Sequence, residues 1–521
     1  MNNDSGTLKE LFYGTSLVTI GGIIRDAIRF ITIVLLGILL TPSGYGIYVL
    51  AFTIPGIVFN FALNGLIEGI VRSVSVYFAK AEYYQLRNVI IKILGIHFVV
   101  GACISITLYF SSGFISESIL LKPEITEPLR LASFAVLLLS LFGGVINVFR
   151  ALQRINHYVA LHLIQVVTYL AVVAVFLNSG FGVMGAIQAR ILTGSATLLT
   201  ALILCIKVYK DILATAKIDA SSTTSDSLKD VVLFSSQINI LNGLKLSRAE
   251  LITTFLGRFS STAEVAYFSI ANSVMQIIGY SGSGSLAIML FPEFSKLHAK
   301  NDQTMIRRLF RITLKVSLVL VAFVGGFIII GSRPFLTEFV PSYLPAYPVI
   351  VLIVIVAIVN SISGSLGSIL RGLDKLNISI KYGSIAAVVS LILNLFFSYM
   401  GIYNAVIGGL IYVVIMVIWN IPPLFEVSRL LGLSIPVDFV LKLSFAFSLS
   451  IFIPYISTRL LGNVYLQMIL VALFVALFGV FCIVLGAFKK EELDYLIINL
   501  SKNELTKKLI PILQLFKRLA R

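Results

Sequence analysis

Three charged residues, Arg25, Asp26 and Arg29, interrupt the first long apolar stretch of the sequence, near residues 15–40. A cation at the centre of a membrane helix costs about 2.5–3.5 kcal/mol on insertion scales, so such residues usually face protein or a wet cavity. Arginine binds phosphate oxygens at two points, and a neighbouring carboxylate can orient it, exchange a proton or bind a cation. These residues predict a membrane helix that lines a site for an anionic ligand.

Other apolar stretches carry polar residues at helical spacing. Asn60, Asn64, Glu68 and Arg72 follow one another every four residues, which places them on one helical face. The residues that we predict to bind substrate are Arg25, Arg29, Asn64, Lys245, Arg248, Asn272 and Gln276. The residues that we predict to orient them or to couple to ions are Asp26, Glu68 and Glu250.

Two interpretations of these charges stay open at the level of sequence. They line a cavity, or they form structural ion pairs that hold helices together, such as Arg29 with Asp26 or with Glu68. Cations outnumber acids in the whole set, which favours a cavity for an anion. Arg72 has a third explanation, because a long basic side chain at a helix end can extend to the membrane surface.

The composition is that of a membrane protein. Of 521 residues, 58% are hydrophobic and only 12% are charged, and the mean hydropathy is +0.99. About 20 apolar residues make one spanning helix. By that measure we predict an all-α membrane protein with about fourteen transmembrane helices, near 15–40, 46–70, 90–110, 129–148, 157–177, 183–206, 231–256, 266–290, 310–330, 347–370, 380–400, 404–424, 439–460 and 465–485.

The net charge of +16 comes mainly from alternate loops between these stretches. Cations collect after the second, fourth, eighth and tenth stretches, which predicts a cell-membrane protein with both termini in the cytoplasm. We expect the basic loops to contact anionic lipids rather than nucleic acid. The four histidines are scattered and no phosphate-binding loop is present, so we expect no metal, no cofactor and no enzyme activity.

An internal repeat divides the sequence. RALQRIN (150–156) returns as RGLDKLN (371–377), and YGIY (45–48) aligns with VAYF (265–268) at nearly the same offset. Six stretches separate the copies, so the repeat is parallel, an arrangement that transporters use to build two lobes around a central site. We predict a six-helix lobe in 1–217, a second in 218–430, an extra helix pair in 431–488 and a basic amphipathic tail in 489–521, lying on the cytoplasmic membrane surface.

The chain resembles the multidrug/oligosaccharidyl-lipid/polysaccharide exporter superfamily, and within it the polysaccharide-type flippases of lipid-linked oligosaccharides. The resemblance is carried by GGIIRDAI (21–28), LLTPSGYGIYVLAFTI (39–54), RALQRIN (150–156), AELITTFLGRFSSTAEVAYFSIAN (249–272), MLFPEFSKLHAKND (289–302) and RGLDKLN (371–377). It implies that Arg25 and Asp26 line the cavity for the pyrophosphate and sugar of the lipid. Glu250 stands where the family usually has an aspartate.

The resemblance implies a flippase that moves lipid-linked oligosaccharide by alternating access, for the synthesis of cell-surface polysaccharide or glycan. Arg25, Arg29, Lys245 and Arg248 would bind pyrophosphate, and Asn64, Asn272 and Gln276 would meet sugar hydroxyls. H⁺ or Na⁺ is the candidate coupling ion, and glycan assembly enzymes are candidate partners. The alternatives are a cation-coupled drug antiporter of the same fold and a membrane scaffold without transport.

Overall fold

Every regular element in the described part of the chain is helical. The computed structural model describes residues 2–215, 243, 248–279, 294, 303–372, 375–432, 437–460, 464–484 and 514. Lipid offers no water to the backbone, so each N–H and C=O must be paired within its own segment. The predicted all-α fold is confirmed.

The helices follow the apolar stretches of the sequence. Those of the first repeat are α1 (Asn2–Leu39), α2 (Pro42–Ala62), α3 (Asn64–Ala79), α4 (Tyr83–Phe114), α5 (Thr126–Ala132), α6 (Phe134–Ala151), α7 (Ile155–Asn178) and α8 (Gly182–Thr215). The remainder are α9 (Ala249–Phe259), α10 (Thr262–Gly279), α11 (Gln303–Phe339), α12 (Tyr347–Gly372), α13 (Leu376–Tyr399), α14 (Ala405–Leu431), α15 (Val437–Leu460) and α16 (Val464–Val484).

Nine helical stretches among the described residues are long and apolar enough to cross a membrane. The chain is therefore a multi-pass membrane protein. The predicted spans all coincide with helices, although parts of 231–256 and 266–290 lie outside the described residues. The number of fourteen crossings stays a prediction.

Large apolar side chains stand exposed on several of these helices. Phe110 on α4 is 80% exposed, and Val175, Leu199 and Ile203 are exposed on α7 and α8. Such surfaces are unfavourable in water. They are expected where lipid chains surround the protein.

Helix boundaries recur at the offset of the sequence repeat. Thr41 caps α2, because its Oγ1 accepts a hydrogen bond from the N–H of Gly44 at 3.1 Å. Ser261, 220 positions later, accepts one from the N–H of Glu264 at 3.3 Å just before α10. The helices α1 and α9 also end 220 positions apart, at Leu39 and Phe259. The spacing of the sequence repeat therefore reappears in the helix boundaries, and the parallel arrangement of two lobes stays a prediction.

Contacts divide the chain into two compact units. The first contains Met1–Ser273 and Gly383–Ile415, and the second contains Val274–Tyr382 and Met416–Arg521. A core of the first unit is built mainly by α3, α4, α6 and α8 around residues such as Ile93 and Val145. The core of the second unit includes Phe310, Leu366 and Phe474.

The predicted lobes, 1–217 and 218–430, follow the repeat rather than this division by contacts. Residues 216–242, which connect them, lie outside the described residues, and so does the tail 489–521 apart from residue 514. These boundaries stay predictions. The extra pair predicted in 431–488 corresponds to α15 and α16.

Candidate functional site

The charged residues of α1 form one cluster. The Nε and Nη2 atoms of Arg25 donate to Oδ1 and Oδ2 of Asp26 at 2.9 and 3.1 Å, and Nη1 of Arg29 lies 3.8 Å from Oδ1. Asp26 is only 6% exposed, whereas Arg29 is 51% exposed. The ion pairs that the sequence left as one alternative are therefore present within α1. That these residues also line a substrate route stays a prediction.

A close helix contact sets the position of this cluster. A Cβ atom on Gly21 of α1 would come within 2.4 Å of Cγ1 of Val159 on α7, so a larger residue at position 21 would require the Val159 side chain to shift. Further along α7, His162 interacts electrostatically with Arg25, Arg29 and Asp26. The cluster thus lies at the interface of α1 and α7.

The sequence did not identify His162 as part of this group. Its ring packs edge-on against Tyr158 and Phe142, with centroid distances of 4.9 and 6.0 Å. Its Nδ1 atom is buried and has no hydrogen-bond partner among the described residues. In the whole described part of the chain, no group of histidine, cysteine or acidic side chains could hold a metal ion.

The predicted span 46–70 contains a one-residue break between two helices, and the polar stripe from Asn60 to Arg72 stays a prediction. The helix α2 ends at Ala62 and α3 begins at Asn64, with Leu63 between them at φ −116°. Asn60 donates from Nδ2 to the carbonyl of Gly56 at 2.9 Å, within its own helix. The side chains of Asn64 and Glu68 lie outside the described residues.

Arg248 and Glu250 lie together at the start of α9. Both are partly buried, and both interact electrostatically with the phenol of Tyr412 on α14. All three belong to the first compact unit. Lys245, which the sequence placed with them, lies outside the described residues.

Asn272 and Gln276 lie one turn apart on α10. Asn272 is partly buried and Gln276 is exposed. Both side chains therefore have surface available for a hydrogen-bonding ligand. Their predicted role toward sugar hydroxyls is a proposal.

A second polar group, which the sequence analysis missed, joins α2, α7 and α8. The hydroxyl oxygens of Tyr48 and Tyr169 are 2.7 Å apart, and Nη1 of Arg190 donates to the hydroxyl of Tyr48 at 3.0 Å. The Arg190 guanidinium also stacks over the ring of Phe52, 4.2 Å from its centroid. The sequence contains one signal for this group, namely that Arg190 is the only charged residue in the apolar stretch 183–206.

Comparison with known proteins identifies a family and a fold. Residues 11–298 match the model of the family described as polysaccharide biosynthesis protein, which is more than half of the chain. No curated protein matches the sequence.

Several solved structures are similar along most of the chain. One is a lipid II flippase MurJ in an inward closed conformation, with a TM-score of 0.68 and 13% identity over 91% of this chain and 97% of that chain. Another is an inward-facing multidrug resistance MATE family transporter of the MOP superfamily, with a TM-score of 0.63 and 14% identity over 79% and 96%. A third is a MOP superfamily transporter from Pyrococcus furiosus, with a TM-score of 0.52 and 14% identity over 80% and 95%. At such identities the likeness shows the fold.

Proposed function

Because this chain belongs to the polysaccharide biosynthesis protein family and has the fold of MOP superfamily transporters, we propose that it flips lipid-linked oligosaccharide across the cell membrane. The substrate is a polyprenyl-pyrophosphate glycan. Its head group crosses along a cationic route by alternating access, while its lipid tail remains in the bilayer. Both termini lie in the cytoplasm, as the loop charges predict.

One observation carries the proposal more than the others, namely the arginine cluster of α1. Arg25 and Arg29 gather at Asp26 inside a predicted membrane helix, where charged groups are costly and usually functional. Guanidinium groups bind pyrophosphate oxygens in pairs. Asp26 orients Arg25, and Arg29, which also contacts Asp26, is half exposed.

Other residues extend this route. Arg248 and Lys245 supply further positive charge, and Glu250 adjusts the charge beside Arg248 or couples to H⁺ or Na⁺. Asn64, Asn272 and Gln276 meet sugar hydroxyls, and Glu68 orients a cation. Anionic lipids contact the basic loops. Glycan assembly enzymes supply the substrate on the cytoplasmic face and use it on the outer face.

The second candidate is a cation-coupled drug antiporter, which the similarity to MATE transporters favours. A cationic drug requires acidic residues along its route. The arginines at Asp26 and the missed Arg190 point instead to an anionic substrate. A membrane scaffold without transport is the third candidate, and it predicts that each intramembrane cation is dispensable.

A deletion strain distinguishes the three candidates. We expect lipid-linked glycan to accumulate on the cytoplasmic face, and the wild-type gene to restore surface glycan. Arg25→Gln and Arg29→Gln should fail to restore it, whereas Arg87→Gln, an exposed arginine on α4, should succeed. Normal glycan with increased drug sensitivity would support the antiporter, and full complementation by both α1 variants would contradict the assigned route.

A further inference from the structure

Arg190 is a cation within the membrane region that has no acidic partner among the described residues. Its guanidinium group donates a hydrogen bond to Tyr48, stacks on Phe52 and interacts electrostatically with Tyr45 and Tyr169. A guanidinium group carries five N–H bonds, and the hydrogen bond to Tyr48 uses one. The remaining N–H groups can bind an oxyanion at two points.

The tyrosines around Arg190 are arranged as hydrogen-bond donors. Tyr48 and Tyr169 share one hydroxyl–hydroxyl hydrogen bond of 2.7 Å, so one of the two protons is donated within the pair and the other remains for a ligand. The ring of Tyr45 stacks on that of Tyr48 with centroids 6.1 Å apart, and its hydroxyl hydrogen-bonds the side chain of Ser269. These contacts hold Tyr48 in place beside Arg190.

The same face of α7 connects this group with the cluster on α1. His162 interacts electrostatically with Arg25, Asp26 and Arg29, and Tyr169 follows it by seven residues. Two helical turns separate residues at that spacing, so the groups are about 10 Å apart along the axis of α7. Gln165 lies between them on this face and is partly buried. In the predicted topology, Tyr169 is on the side of His162 away from the cytoplasm.

We infer that Arg190, Tyr48 and Tyr169 form a second oxyanion site, which receives the pyrophosphate of the lipid-linked glycan after it leaves Arg25 and Arg29. This inference rests on the proposed function and adds a step to it. A pyrophosphate is shorter than the separation of about 10 Å along α7, so the transfer uses Gln165 and His162 as intermediate hydrogen-bonding groups. The transfer exchanges ionic hydrogen bonds and breaks no covalent bond.

The competing explanation is structural, with Arg190 only joining α8 to α2 through Tyr48. A purely structural contact would change thermal stability without changing ligand affinity. The test therefore measures the binding of undecaprenyl pyrophosphate to the purified full chain in nanodiscs. Undecaprenol serves as the neutral lipid, inorganic pyrophosphate as the free anion, and thermal unfolding of each variant as the control for folding.

The double variant Arg25→Gln/Arg29→Gln isolates the second site. We expect it to keep measurable affinity for undecaprenyl pyrophosphate, and Arg190→Gln in that background to weaken binding by about tenfold or more, as expected for the loss of a charged hydrogen bond. Arg190→Lys should weaken binding less, and Arg87→Gln should not change it. Tyr48→Phe/Tyr169→Phe, which keeps both rings, should weaken binding by about three- to tenfold and serves if Arg190→Gln does not fold.

Four results would overturn the inference or its premise. No binding to the Arg25→Gln/Arg29→Gln protein, or equal binding with and without Arg190, would remove the second site but leave the proposed function intact. Inorganic pyrophosphate binding as tightly as the lipid would assign the site to free anions. A wild-type protein that binds undecaprenyl pyrophosphate no better than undecaprenol would contradict the proposed function itself.

Discussion

Arg25 makes a two-point hydrogen bond to the carboxylate of Asp26, the next residue on α1, at 2.9 and 3.1 Å. Adjacent residues of a helix do not usually face each other. Here the long arginine side chain reaches around to the buried carboxylate, and Arg29 lies 3.8 Å from the same oxygen. Asp26 therefore contacts both cations.

Asp26→Asn should destabilise the protein more than the neutral double variant Arg25→Gln/Asp26→Asn. Removing one member of a buried ion pair costs about 3–5 kcal/mol, because the other charge is left uncompensated. Removing both relieves part of that cost. Thermal unfolding of the two variants and of Arg25→Gln gives the coupling energy. Additive effects would show that the pair contributes no energy beyond its two members.

Glu250→Gln should lower flipping by about tenfold, while Glu250→Asp should retain most of it, because the charge beside Arg248 is kept. The measurement is transport of a labelled lipid-linked oligosaccharide in proteoliposomes. Glu124→Gln, at an exposed acid in the short 3₁₀ helix just before α5, is the matched control. Equal rates for Glu250→Gln and wild type would exclude Glu250 from ion coupling and from orienting Arg248.

Gly46→Ala should prevent normal folding. A Cβ atom at Gly46 would lie 1.8 Å from the backbone oxygen of Thr262, and backbone atoms cannot move aside cheaply. Gly56 lies on the same helix with nothing within 4 Å of such an atom. Gly56→Ala should therefore be neutral or stabilising by up to about 1 kcal/mol. Expression and size-exclusion profiles of the two variants would be indistinguishable if this contact were unimportant.

Glu264→Ala should destabilise the start of α14. The Oε2 atom of Glu264 accepts a hydrogen bond of 2.8 Å from the backbone N–H of Ala405, the first residue of that helix. Losing such a cap costs about 0.5–2 kcal/mol. Glu264→Gln keeps an acceptor oxygen and should lose less. If Glu264→Ala and Glu264→Gln lowered the melting temperature equally, the stabilisation would come from the charge of Glu264 and not from its hydrogen bond.

Ser140→Ala should destabilise the core of the first unit. The hydroxyl of Ser140 lies 2.9 Å from Nδ1 of His97, and both side chains are fully buried. The variant leaves a ring nitrogen without a partner, at a cost of about 1–3 kcal/mol. Ser111→Ala is the control, because Ser111 is only partly buried near the end of the same helix as His97 and donates to the carbonyl of Thr107 within that helix. Unchanged thermal stability of Ser140→Ala would mean that His97 finds another partner.

Hydropathy and residue spacing predicted the positions of the helices well, because helix formation in a membrane depends mainly on residues that are close together in the sequence. Each predicted span coincides with a described helix or with part of one, and the spacing of the repeat reappears in helix boundaries 220 positions apart. The interruption at Leu63 was missed, since nothing in the apolar run 46–70 is a strong helix breaker at that position.

The sequence by itself determined that this protein is helical, crosses a membrane several times and carries cations inside its apolar stretches. Those properties follow from the cost of burying backbone and charge in lipid, which local composition reveals. Only the tertiary structure decided the partners of these charges. Arg190 meets Tyr48 across 142 positions of sequence, and Tyr48 meets Tyr169 across 121. Such contacts depend on which helices pack together, and the composition of a single helix does not determine its neighbours.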